Sequence, residues 1–185
     1  MLLFGHLGIT LGIFFGLGIL IPRLRTIIDP RYLAIGALLP DLIDKPIGEV
    51  IFASTFANGR IVGHTLLFSL LLFLTGLYLY ERRRDIKVFA LASGSFFHLF
   101  EDQMLSYPTT FFWPLLGWSF PKDSKDYTGL EHLIGMLEKS FNLEFLQSYI
   151  TETLGMVMMV ILTLYWLKKR SDEKNSEDII PEPSK

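Results

Sequence analysis

Five stretches of the chain are apolar along most of their length, and each is closed by charge or proline. Residues 1–21 are interrupted only by His6, Thr10 and five glycines, and end at Pro22-Arg-Leu-Arg25. A helix rising about 1.5 Å per residue needs roughly 20 apolar residues to cross a bilayer, so this run predicts a spanning helix. Gly8, Gly12 and Gly16 fall on one face, which suits close helix packing in lipid. Residues 32–56 form a second stretch, interrupted by Pro40-Asp-Leu-Ile-Asp-Lys-Pro46, and predict a crossing broken there. Residues 61–80 are the cleanest span, with His64 near the start and Glu81-Arg-Arg-Arg-Asp85 as the stop. Residues 88–105 are apolar until His98, Glu101 and Asp102. A polar and aromatic stretch over 106–142 precedes a last span from about residue 146 to 167, closed by Lys168-Lys-Arg170.

The pattern predicts an all-α fold: a polytopic membrane helical bundle of about five spans, the second broken at Pro40–Pro46. Residues 1–170 form one membrane domain. Residues 171–185, charged and holding Pro181 and Pro183, are expected to be a disordered tail.

Composition agrees. Half of the 185 residues are hydrophobic, 16 are Phe, and the mean hydropathy is +0.39, more apolar surface than one small soluble core can hide. The net charge of −2 says little, but its distribution orients the chain. With five crossings, the basic residues at 23–31, 82–87 and 168–185 share one side, and the positive-inside bias puts that side in the cytoplasm. The N-terminus is then outside and the C-terminus cytoplasmic, in a multi-pass protein of the cell membrane. A re-entrant dip over 32–56 would split these clusters. Residues 1–22 lack a charged leader and a small-residue cleavage site, so they are expected to stay in the mature protein. Arg82 to Arg84 reads as a topology anchor, and no nucleic-acid partner is expected.

Placed in depth, the ionisable residues gather. His6, His64, His98, Asp102 and Glu152 fall in the outer half of their spans, and Asp41 and Asp44 lie mid-segment. Ionisable groups within a membrane are a functional-site hypothesis by default. His98 and Asp102, four apart, share a helical face and can reach one ion. Arg60-x-x-x-His64 has the same spacing, and the planar fork of Arg60 matches a carboxylate or a phosphate. Pro40, Asp41 and Asp44 suit the first turn of a helix. Cysteine is absent, so a metal would be held by His and carboxylate. That donor set suits Zn²⁺, Mn²⁺ or Fe²⁺ better than Mg²⁺ or Ca²⁺.

Plainer readings exist for each residue. Asp41 and Asp44 suit a helix start with an ion pair to Lys45, and His6 suits a packing role. Glu101 is expected to face away from Asp102 toward the interface, and His132 to be solvated in a polar loop. Trp113 and Trp118 suit an interfacial aromatic belt, and Met156, Met158 and Met159 suit packing or lipid contact.

Taken in order, His6, Gly36-Ala-Leu-Leu-Pro-Asp41 with Asp44, Arg60-x-x-x-His64-Thr65, His98-x-x-x-Asp102 and Phe112-Trp-Pro114 resemble the YdjM-type membrane-bound metal-dependent hydrolases. The resemblance covers about residues 1–167. That family is thought to be distantly related to zinc-dependent phospholipase C and P1-type nucleases, all-helical enzymes with metal clusters bound by His and Asp. The resemblance implies metal ligation by His6, Asp41, His64, His98 and Asp102, with Asp44 and Glu152 as further candidates. Four histidines are too few for a full three-zinc cluster of that type and favour one or two ions. The expected activity is hydrolysis of a phosphoester or other ester in an amphiphilic or lipid substrate by metal-activated water, with zinc the first candidate ion. Asp44 or Glu152 would serve as general base and Arg60 would neutralise phosphate charge. The competing class is a non-catalytic proton or metal-ion transporter using the same His and Asp cluster. The oligomeric state is open.

Overall fold

Every regular element among the described residues is helical. The computed structural model describes residues 3–122, 134–135, 138 and 150–177, with side chains to 172. The elements are α1 (Leu3–Leu20), α2 (Pro22–Ile27), α3 (Pro30–Lys45), a π-helical turn (Pro46–Ile51), α4 (Leu66–Arg83), α5 (Lys87–Glu101), a 3₁₀ turn (Met104–Ser106), α6 (Pro108–Phe111) and α7 (Ile150–Glu177). Local signals set their ends. Asp29 accepts from the Arg31 amide ahead of α3, with Pro30 at its first position. Thr65 caps α4 by accepting from the Phe68 amide at 3.0 Å, and Arg84, left-handed at φ 55°, closes it.

Pairwise contacts give the directions. Tyr32 meets Lys87 at one end and Asp41 meets His98 at the other, so α3 and α5 run parallel. Gly5 meets Glu152 and Phe15 meets Tyr165, so α1 and α7 are parallel too. α5 is antiparallel to both α1, through His6–Glu101 and Phe14–Phe97, and α4, through Phe73–Phe96 and Gly76–Phe89. The starts of α1, α4 and α7 and the ends of α3 and α5 therefore meet at one end of the bundle. Arg25, Arg83, Arg84, Lys87 and Lys169 lie at the other.

The surface is inverted relative to a water-soluble domain. Leu70, Leu71 and Leu74 on α4 and Val160, Ile161 and Leu164 on α7 are each at least half exposed, while His6, Asp44, His64, His98 and Glu152 are fully buried. Among the described residues, two helices, α1 and α7 over Ile150–Asp172, are long and apolar enough to cross a membrane. The others fall short individually. α3 and α5, of 16 and 15 residues, reach only roughly 24 and 22 Å, and α4 ends in three charged residues.

Two expectations change. α3 is not interrupted at Pro40: it runs on through Asp41 and Asp44 to Lys45, and only at Pro46 does it pass into the π-helical turn. Pro40 withholds a donor from the Gly36 carbonyl, and it is tolerated because it is buried where the chain around Gly63 folds back over it. Asp41 and Asp44 thus end a helix rather than begin one. α7 also continues to Glu177, into the segment expected to be tail; residues 178–185 and the expected start of the last span near 146 lie outside the described residues.

Candidate metal centre

Asp44 organises the return of the chain from α3 to α4. Its carboxylate accepts the backbone amides of Ile61 (2.7 Å), Gly63 (2.8 Å) and His64 (3.1 Å) and takes the His64 Nδ1–H at 2.8 Å. Four donors converge on two oxygens, which fixes residues 61–64 and the imidazole together. Residues 58–65 are not helical, so this loop, and not a four-residue helical repeat, sets Arg60 and His64 beside the centre.

His98 is set by the crossing of α3 and α5. A Cβ at Gly36 would run into the Leu91 carbonyl, and one at Gly94 into the Leu33 carbonyl, so only glycine allows this approach. Across the gap His98 Nδ1 donates to the Ala37 carbonyl at 2.7 Å. His6 is fixed from α5 as well: its Nδ1 donates to Glu101 Oε2 at 2.7 Å, while the Thr10 hydroxyl donates to Glu101 Oε1 at 2.8 Å.

Each of the three imidazoles thus commits its Nδ1–H to an acceptor, which turns its Nε2 toward the interior of the cluster. Those atoms converge. His64 Nε2 and His98 Nε2 lie 3.2 Å apart, His6 Nε2 lies 3.3 Å from Asp102 Oδ1, and the His6 and His98 rings stack at 3.9 Å. Asp41 Oδ1 is 3.6 Å from His64 Nε2 and 3.8 Å from His98 Nε2; Asp102 Oδ2 is 3.7 Å from His64 Nε2. Donor atoms around a tetrahedral ion at zinc-ligand lengths stand about 3.4 Å apart.

The 3.2 Å approach of His64 Nε2 to His98 Nε2 needs a proton or a metal ion between the two nitrogens. His6 Nε2, fully buried, has the Asp102 carboxylate as its polar neighbour at 3.3 Å. These features fit a divalent ion. The triads His6–His98–Asp102 and Asp41–His64–His98 both have suitable ligand atoms within 4.8 Å of one another. His98 belongs to both and offers one ring nitrogen, so the two triads are adjacent alternatives for an ion that includes it.

The outer carboxylate oxygens face cations. Asp41 Oδ2 pairs with Lys45 Nζ at 2.6 Å, and Asp102 Oδ2 accepts from Arg60 Nε at 2.9 Å. The Arg60 guanidinium also lies 5.1 Å from the centre of the Tyr107 ring. Burial pulls its pKa down, but adjacent Asp102 more than reverses this, so it is raised overall. The side chains of Asp41, Lys45 and Arg60 are 15, 21 and 36 % exposed against 0 % for the three imidazoles, so the centre opens on their side.

His6, Asp41, His64, His98 and Asp102 are therefore in one place, with Asp44 and Arg60 in contact with them. Glu152, fully buried, accepts the Gly5 amide at 3.0 Å and ties α7 to the first turn of α1, next to His6. Glu101 corrects expectation, since it points inward to His6 and Thr10 rather than out to the interface. His132 lies outside the described residues. Glu101, Thr10 and the Ala37 carbonyl were not legible as site groups. Their partners are 61 to 95 residues away, and no local spacing signals them.

The family model described as YdjM inner membrane protein matches residues 1–172. No curated protein and no solved structure matches the chain.

Proposed function

Since the chain belongs to the YdjM inner membrane protein family, we propose that it is a membrane-embedded metal-dependent hydrolase of a phosphoester, or other ester, in an amphiphilic substrate. One observation carries the reading: three buried imidazoles, each held through Nδ1 by an acceptor, turn their Nε2 atoms into a cluster with Asp41 and Asp102 that forms two overlapping ligand triads. Second-layer anchoring of this kind is what metal-ligating histidines show. A zinc-class ion bound there supplies Lewis acidity and a water of near-neutral pKa.

The protein's own groups divide the remaining work. Lys45 and Arg60 flank the open side, so an arriving group meets two cations, which favours a phosphate over a neutral ester. Asp102 fixes the Arg60 guanidinium through Nε and leaves its outer nitrogens for substrate oxygens. Asp44, with four donors on it, has no capacity left as a base and acts as the anchor of His64. Glu152 holds α1 in place. Asp41, the most exposed of the five candidate ligands, is the carboxylate best placed to take a proton from the attacking water.

We set the five long helical segments across the membrane, N-terminus outside and C-terminus in the cytoplasm. The centre is then near the extracytoplasmic surface and opens to substrate from that leaflet. The gathering of Arg25, Arg83, Arg84, Lys87 and Lys169 at the opposite end supports this.

The test is elemental analysis of detergent-purified protein together with hydrolysis of a chromogenic phosphodiester. About one transition-metal ion per chain and activity lost in His64→Ala are expected. Metal flux in liposomes without hydrolysis of any phosphoester or lipid would replace this reading with transport.

A further inference from the structure

The end of the bundle away from the metal centre holds a cavity of about 410 Å³ between α1, α2, α3 and α7. It follows from how α1 and α7 pack. Gly8 is in backbone contact with Gly155, Gly12 meets Met158, and a side chain at Gly16 would meet nothing within 4 Å. The ladder that closes the pair at the metal end is slack at the other. Leu11, Phe14, Leu33, Met159, Leu162 and Trp166 line the space, and the Thr163 hydroxyl on its wall donates to the Met159 carbonyl of its own helix at 2.8 Å.

The charges are at the mouth. Arg25 and Lys169 stand there with the Tyr165 hydroxyl, to which Arg25 Nη2 donates at 2.5 Å. The same guanidinium lies 5.3 Å from the Phe15 ring centre and 5.6 Å from that of Tyr165. Two ring contacts and a hydrogen bond hold the guanidinium in place while other N–H groups remain for an anion. The volume is within the roughly 300–1,000 Å³ of small-molecule sites, and too narrow for a further helix about 10 Å across.

A water-soluble anion has no use for the apolar depth, and a neutral hydrocarbon none for the cations. In a membrane protein, the ligand that has both is a lipid, and basic pockets between spanning helices suit acidic headgroups. We propose that this cavity is a site for an anionic phospholipid, one acyl chain lying between α1 and α7 and the headgroup phosphate held by Arg25 and Lys169. The inference is independent of the metal centre and of the hydrolytic reading.

Native mass spectrometry of the full chain, delipidated in detergent and titrated with phosphatidylglycerol or phosphatidylethanolamine of identical chains, tests it. Each cation near a lipid headgroup is worth about five-fold in affinity, so Arg25→Gln and Lys169→Gln should each weaken phosphatidylglycerol by roughly that factor and the pair by about 25-fold. Leu162→Trp, which fills the cavity, should weaken both lipids. Lys169→Gln alters an exposed side chain and carries the charge test even if Arg25→Gln fails to fold. Equal affinity for the two lipids, or phosphatidylglycerol binding unmoved by Lys169→Gln and Leu162→Trp, overturns the proposal.

Discussion

Ala37 gives its carbonyl to the Nδ1–H of His98 across 2.7 Å, a hydrogen bond between two parallel helices that holds the ring of a candidate ligand from the backbone alone. No side-chain substitution at residue 37 removes that acceptor. What can remove it is a change in helix spacing, and the spacing depends on Gly36 and Gly94.

Gly94→Val should therefore lower thermal stability by about 1–3 kcal/mol or more, the usual cost of overpacking, and release bound metal. Gly16→Ala is the control, because a methyl group there meets open space. Melting curves in detergent that moved equally for both variants would show that the crossing does not set the centre.

His64→Ala removes a candidate ligand, whereas Asp44→Asn keeps the ring and replaces one anchoring oxygen with a donor. Metal content should vanish in the first and metal affinity fall about 10–100-fold in the second. Competition with a chelator separates the two. Asp44→Asn should also destabilise the fold by about 1–3 kcal/mol, since three backbone amides lose their carboxylate.

Glu101→Gln should resemble Asp44→Asn in metal affinity, because both carboxylates select the tautomer of a histidine. Thr10→Val, which removes only the hydroxyl bonded to Glu101, should have a smaller effect. A Glu101→Gln variant binding metal as tightly as the parent would make Glu101 a packing residue.

Arg60→Lys retains the charge but loses the fork that touches Asp102 and faces the opening. Arg60→Gln should reduce kcat/KM for a phosphodiester by at least about ten-fold, with Arg60→Lys between it and the parent. Equal rates in all three would remove the phosphate-binding role.

Orientation is open to labelling, since the chain has no cysteine of its own. Ser106→Cys, exposed at the metal end, should react with a membrane-impermeant maleimide in intact cells. Arg83→Cys, exposed at the basic end, should react only after permeabilisation. The reverse pattern would invert the topology.

The candidate ligands were legible in the sequence because a charged or imidazole side chain stands out against an apolar run, and its place near one end of a helix follows from where the run begins. The roles behind them were not. Asp44 and Asp41 are three residues apart and chemically alike, yet the former is enclosed by the amides of residues 61–64 while the latter reaches the opening. Only the fold of the 58–65 loop separates them. Glu101, next to Asp102, read as an outward residue because its partners His6 and Thr10 come from a helix 95 and 91 residues away. Pro40 read as a break because proline ends isolated helices, and packing against α5 and the Gly63 chain overrode that preference. Helix existence followed from hydrophobic runs, but the short lengths of α3 and α5 depend on where the π-helical turn and the Asp102 cap fall.

The Gly5 amide bonded to Glu152 carries an implication for biogenesis. The first turn of α1, with His6 in it, is clamped by a residue that is synthesised 147 positions later. Metal loading should consequently follow completed insertion of the polypeptide, and a chain halted before residue 150 should be unable to retain the ion however well its earlier helices have entered the bilayer.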